Sequence, residues 1–161
     1  MEQRSLPLHT GFGVVRRARR ADHRRILEMV GQLAAHHGDV ASLTPDDLRR
    51  DLAGKRPWIS VVVAECGHRL IGYAAMYPVI QLQFGARGME MHHLLAAAEF
   101  RGTGVGRSLV EGCRIEAISL SCRYLAVGTH PDNHRAQAFY TSLGFERRDA
   151  HPPRFSVRLD A

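Results

Sequence analysis

The sequence predicts an α/β protein of the α+β, mixed-sheet kind. Three observations carry that expectation. Apolar spacing switches repeatedly between strand alternation and the 3.6-residue repeat of a helix. The segments fall in the order β-α-α-β-β-β-α-β-α-β-β with no internal repeat. Residues 88–129 among them read as a strand, a glycine-rich turn, a helix and a strand.

Gly13 to Ala18 reads as a short strand, after which Asp22 can cap a helix to about His36, with Ile26, Leu27, Val30, Leu33 and Ala34 at helical spacing. Thr44-Pro45-Asp46-Asp47 starts a second helix, with Thr as N-cap, Pro at the first helical position and an acid at the third; Gly54 stops it. Trp58–Cys66 and Arg69–Val79 flank Gly67-His68 and make an antiparallel hairpin, and Gly88–Ala96 is a further strand. Val105 to about Leu120 carries an apolar stripe at 105, 109, 110, 113, 117 and 118, and Tyr124–Thr129 returns to a strand. Ala136, Phe139, Tyr140 and Leu143 are spaced i, i+3, i+4, i+7 with Gly144 as C-cap. Strands near Phe145–Arg148 and Phe155–Leu159 close the chain.

At 161 residues the chain matches a single domain, 1–161. Its 45% hydrophobic and 24% charged residues exclude collagen-like, coiled-coil and disordered classes. No apolar run reaches the ~18 residues of a membrane helix, and the N-terminus lacks the charged-then-apolar order of a signal peptide, so a cytoplasmic protein without a membrane partner is expected. Cys66, Cys113 and Cys122 are odd in number and unpaired in spacing, which points to reduced thiols and to no cysteine-built metal site. The net charge of +6 raises a nucleic-acid partner. Most of that charge is local, since residues 1–25 hold seven arginines against Glu2 and Asp22. Only Lys55 is Lys, an arginine bias spread over the whole chain that argues against one nucleic-acid surface.

The most informative segment is Arg101-Gly102-Thr103-Gly104-Val105-Gly106-Arg107-Ser108, between an apolar strand and an amphipathic helix. Glycines permit positive φ and close backbone approach, and the unpaired amides and dipole of the helix start favour an anion. A pyrophosphate fits that description. The dinucleotide motif G-x-G-x-x-G fails because Arg107 or Leu109 stands where the third Gly is needed, and no G-K-[ST] of a P-loop is present. Alone, the segment could equally be a tight turn.

R-x-x-G-x-G at 101–106, followed by N-x-x-A-x-x-F-Y-x-x-L-G-F at Asn133–Phe145, resembles the GNAT superfamily of N-acetyltransferases. The resemblance runs from about Val14 to Leu159, and the predicted order of elements is similar to the GNAT acyl-CoA N-acyltransferase fold. It implies acetyl-CoA as cosubstrate, its pyrophosphate on the amides of Arg101, Gly102, Thr103, Gly104, Val105 and Gly106, with Arg107 and Ser108 nearby. Its pantetheine arm would lie along the strand edge at Leu94, Leu95 and Ala96, with Asn133 contacting it from the other side. A homodimer is a further implication. Leu43–Leu52, VVVAE, LIGYAAMYP, QLQFGARG and MEMHHLL are similar to the diamine and polyamine acetyltransferase branch. That branch shows Glu-Asp where this chain has His92 and His93. Imidazoles lack the negative field that draws a polycation, so the departure weakens a polyamine acceptor while leaving the reaction type.

Acetyl transfer to an amine requires a base for the amine, a donor to the thioester oxygen and a proton for the leaving thiolate. A backbone amide near Leu95 or Ala96 can hold the oxygen if the strand ladder opens there. Glu90, His92 and His93 are base candidates, with alternation putting Glu90 and His92 on one face and His93 on the other. His92 is favoured, because it stands at the branch's Glu position and imidazole titrates near neutrality. Glu90 acting through water and a merely packed His92 stay open. Tyr140 is the candidate acid, since the superfamily commonly places a Tyr there; it also fits the apolar stripe of its helix. Tyr77, before Pro78, can border the acceptor pocket, whose shape rests on loops 37–44 and 80–88. A metal site built on the histidines finds no helical H-x-x-x-H spacing, and a cysteine nucleophile no partner at motif spacing. The expected activity is acetyl transfer from acetyl-CoA to a small primary amine by direct transfer in a ternary complex. The alternatives are a protein or peptide N-acetyltransferase and a non-catalytic acyl-CoA-binding module.

Overall fold

A computed structural model describes residues 4–148 and 153–159. Its elements are β1 (Leu8–Thr10), β2 (Gly13–Arg17), α1 (His23–His36), α2 (Pro45–Ala53), β3 (Ser60–Cys66), β4 (Arg69–Gln81), β5 (Ala86–Ala96), α3 (Val105–Ser119), β6 (Tyr124–Val127) and α4 (His134–Ser142). Two compact units result, Met1–Gly128 and Thr129–Ala161.

All six strands belong to the first unit and lie in chain order. Every neighbouring pair is antiparallel except β5 and β6, which are parallel and joined through α3. On one face, Ile26, Met29 and Leu33 of α1 and Leu48 of α2 bury against Val61, Val63, Tyr73, Ala75 and Leu95. Alternation aims Gly72 at the opposite face, where Val105 and Leu109 of α3 approach it. The α2 start forms as its sequence reads: the Asp47 amide donates to Thr44 Oγ1 at 3.1 Å and the Thr44 amide to the Asp47 carboxylate at 3.1 Å.

Three expectations are corrected. Asp22 does not cap α1 with its side chain. Its carboxylate accepts from both ends of the buried Arg16 guanidinium, at 2.7 and 3.1 Å, and from the Arg19 amide at 2.6 Å. Burial alone would raise the Asp22 pKa, but these donors outweigh it and hold it below the ordinary carboxylate value. A strand precedes the first expected one, because Leu8–Thr10 folds back on Gly13–Val15. At the other end, residues 145–148 and 155–159 form no strand. Phe155, Val157 and Leu159 are 95%, 82% and 84% exposed, so their alternation covers no face and pairs with no ladder.

The basic N-terminal stretch is largely neutralised within the fold. Arg4 pairs with Glu111, Arg16 with Asp22 and Glu65, Arg17 with Glu116, and Arg24 and Arg25 with Glu28. No helix among the described residues is long and apolar enough to cross a membrane.

Candidate active site

The β4–β5 ladder pairs Ala75 with His93 but Met76 with Met91, leaving His92 without an opposite residue. That is a β-bulge, and a bulge breaks the alternation on which the sequence reading relied. His92 and His93 therefore project together, their rings stacked at 4.4 Å and 18°. Expecting them on opposite faces is the main correction at the site. Glu90 keeps regular register, opposite Tyr77.

The two histidines have different surroundings. The Nδ1 of His93 lies 2.9 Å from the hydroxyl of Tyr73. Burial pushes the His93 pKa down to about 4, helped by His92 and His37, and burial raises that of Tyr73. Both are neutral near pH 7; with the phenol donating to Nδ1, the His93 ring proton sits on Nε2 and its one acceptor is already used. His92 is exposed, meets only the ring edges of Tyr77 at 5.9 Å and its neighbour's ring, and has no hydrogen-bond partner among the described residues. Of the pair, His92 has a ring nitrogen available to take a proton.

Both imidazoles line a cleft of about 1230 Å³. Ile26, Val30, Leu43, Ile59, Val61 and Met76 form much of its wall, with Tyr73 and Tyr77 on the β4 side and Arg50, Asp51 and residues 54–58 on another. The loop 80–88, read as a determinant of the pocket, does not line it; residues 54–59 do. Tyr77, read as a residue bordering the acceptor pocket, lines this cleft. Tyr73 was legible only as a packing residue, since nothing in a strand's alternation announces a hydroxyl bonded to an imidazole.

Directly after the histidines, at the C-terminal end of β5, the backbone supplies the features. Pairing with β6 runs from Gly88/Tyr124 to Met91/Val127 and stops, so at Leu94, Leu95 and Ala96 the strand is paired to β4 but not to β6. The ladder is therefore open on the β6 side at these three residues. Next come Arg101–Gly104, all exposed, then α3. Gly104 is its N-cap at φ 91°, a left-handed conformation that costs a residue with Cβ about 1–2 kcal/mol. The first main-chain bond into the helix is Ser108 N–H to Gly104 O at 3.0 Å, so the amides of Val105, Gly106 and Arg107 precede the ladder. A Cβ built on Gly102 or Gly104 would meet nothing within 4 Å, so the space over the turn is open. Amides with no main-chain partner among the described residues, a helix dipole and open space over Gly102 and Gly104 fit a pyrophosphate; an open strand edge fits an amide-bearing arm.

In the second unit, Asn133 caps α4, its Oδ1 accepting from the Ala136 amide at 3.0 Å, which leaves its amide NH₂ for another partner. The Tyr140 ring stacks edge-on with Phe139 at 5.2 Å and Phe145 at 5.5 Å, the packing its helical spacing suggests. Cys113 is buried, and burial followed by the nearby Glu116 pushes its thiol up to about 12, which denies it thiolate character.

Residues 23–145 match the family model described as "Acetyltransferase (GNAT) family". A curated relative, thialysine N-epsilon-acetyltransferase of Bos taurus, is 26% identical over 143 residues, 83% of this chain and 84% of that protein. Among solved structures, an aminoglycoside acetyltransferase from an uncultured soil metagenomic sample superposes with a TM-score of 0.75 at 15% identity, covering 89% of this chain and 95% of that one. The ribosomal-protein-alanine N-acetyltransferase of Brucella melitensis biovar Abortus 2308 superposes with a TM-score of 0.66 at 16% identity, over 90% and 99% of the two chains.

Proposed function

The chain belongs to the GNAT acetyltransferase family, and from that premise we propose that it transfers the acetyl group of acetyl-CoA to the primary amine of a small molecule, directly, within a ternary complex. The observation that carries the reading is the succession along β5 of a histidine-lined cleft at His92 and His93, a strand edge open at Leu94–Ala96 and, after it, the helix start at Gly104. Acetyl-CoA supplies a thioester-activated acetyl group. The amides of Arg101–Gly106 would bind its pyrophosphate, with Arg107 and Ser108 beside them, and Leu94–Ala96 would orient the arm, one amide there polarising the thioester oxygen. Asn133 is a second contact to the arm.

His92 is the proposed base. It takes a proton from the incoming ammonium, so that the neutral amine attacks; the acetyl group moves to nitrogen as the carbon–sulfur bond breaks, and the nitrogen's surplus proton leaves to solvent, from which the proton donor of the thiolate is replenished. Tyr140 is the proposed donor of a proton to the departing thiolate, on the strength of the Asn133–Phe145 motif. Glu90, two residues from His92 on the same strand, is the alternative base through water. A cytoplasmic location and a homodimer belong to the same proposal. The acceptor class rests on the thialysine N-epsilon-acetyltransferase relative named above, and a protein or peptide acceptor is the alternative. Initial rates with acetyl-CoA and amine both varied test the transfer mode: a ternary complex gives intersecting double-reciprocal lines, whereas parallel lines would establish an acetylated enzyme intermediate instead.

A further inference from the structure

The charge around the cleft narrows the acceptor. Four charged residues line it: Arg50, Asp51, Lys55 and Arg56. Asp51, the one carboxylate of that set, is engaged by Arg50 through Nε–Oδ1 at 2.8 Å and Nη2–Oδ2 at 2.7 Å, and Arg50 is further shared with Asp47 at 3.2 Å. The two therefore cancel. Lys55 and Arg56 have no carboxylate partner among the described residues. Their segment is not a loose loop. The amides of Trp58 and Ile59 both donate to the Asp51 carbonyl, at 2.8 and 3.1 Å, and Gly54 N–H bonds to Arg50 O at 3.2 Å. A Cβ on Gly54 would stand 2.3 Å from that oxygen, so only Gly allows the chain to leave α2 this closely. The result is a fixed lip carrying two uncompensated cations, with the exposed Trp58 indole beside them and the apolar wall inside.

Resting on the transferase reading above, we infer that the acceptor is a primary amine joined through an apolar body to an anionic group, the amine lying at His92 and the anion at Lys55 and Arg56. A diamine would set its second ammonium against this lip, and no free carboxylate in the cleft would receive it. An apolar body matches the aliphatic and aromatic lining, and an anion matches the lip. Both cations are exposed, so the preference they confer is moderate and weakens as salt screens it.

Three linear amines of one chain length isolate the end group: 8-aminooctanoate, octylamine and 1,8-diaminooctane. With acetyl-CoA held constant at low ionic strength, kcat/KM should fall in that order, the carboxylate gaining three- to tenfold over the methyl terminus. The double variant Lys55→Gln/Arg56→Gln should erase that gain, bringing 8-aminooctanoate down to the kcat/KM that octylamine shows with the same variant. A preferred diamine, or a carboxylate advantage that survives the double variant, overturns the assignment while leaving the transferase reading intact. Acetylation of none of the three, nor of any other primary amine tried beside them, overturns the transferase reading and this inference with it.

Discussion

Between Arg101 and Ser108 the candidate site is made of backbone; between Glu90 and His93 it is made of side chains. The first region works through amides, a left-handed Gly104 and open space, so what it needs from the sequence is the absence of side chains. The second works through two imidazoles that a bulge turns to the same side and that their neighbours make unequal. Damage to the turn should therefore appear as lost cosubstrate binding with the chemistry otherwise intact. Damage to the bulge should appear as lost chemistry with binding intact.

The largest expected effect is on the side-chain half. His92→Ala should lower kcat/KM for the amine by roughly 10² to 10⁴ and remove one limb of its pH profile, while the rise in Tm produced by acetyl-CoA stays as in the parent. If His92→Ala keeps its profile and Glu90→Gln loses it, the base is Glu90 through water. The backbone half should break in the opposite way. Acetyl-CoA at about 100 times its Kd adds about 2.7 kcal/mol of stability. Gly106→Val, on the first turn of α3, should fold and lose that increment, measured by thermal unfolding with and without acetyl-CoA. An unchanged increment in the folded variant would remove the turn from the site.

Smaller effects sharpen the contrast. Tyr140→Phe keeps the ring packing with Phe139 and Phe145 and should lower kcat at least tenfold without loss of Tm. Full turnover would make the hydroxyl structural. The smallest effect concerns His93. Its folded pKa of about 4 lies below the ~6.5 of an unfolded histidine, so between those values the unfolded chain binds a proton that the folded one does not. Stability should fall as pH drops from about 6.5 towards 4. His93→Gln should shrink the Tm difference between pH 7 and pH 5, and an undiminished difference would deny that burial of this imidazole has any cost in acid.

The same contrast governs what could be read from the sequence. Backbone sites are spelled in residues with special backbone behaviour, which is why the turn at 101–106 and the capping box at Thr44–Asp47 were both legible. The bulge at His92 was not, because it arises from a mismatch between β4 and β5 that no residue in MEMHHLL announces. Losing one residue of register reversed the predicted side of His93. Asp22 has the residue type of an N-cap, yet a buried Arg16 elsewhere on the sheet claims its carboxylate, a tertiary demand that local propensity does not contain. Strands 145–148 and 155–159 have the alternation of strands without a ladder to join. The cleft wall at residues 54–59 was missed for a related reason: its placement depends on the Asp51 carbonyl, not on any side-chain pattern.

The most direct test of acetyl transfer is to mix the protein with acetyl-CoA and a panel of primary amines and to follow free CoA thiol together with N-acetylated product. The account predicts thiol and product formed one for one, with amine-dependent rates that His92→Ala lowers by roughly 10² to 10⁴. Stabilisation by acetyl-CoA without thiol release, whatever amine is supplied, would contradict it and make the chain a binding module.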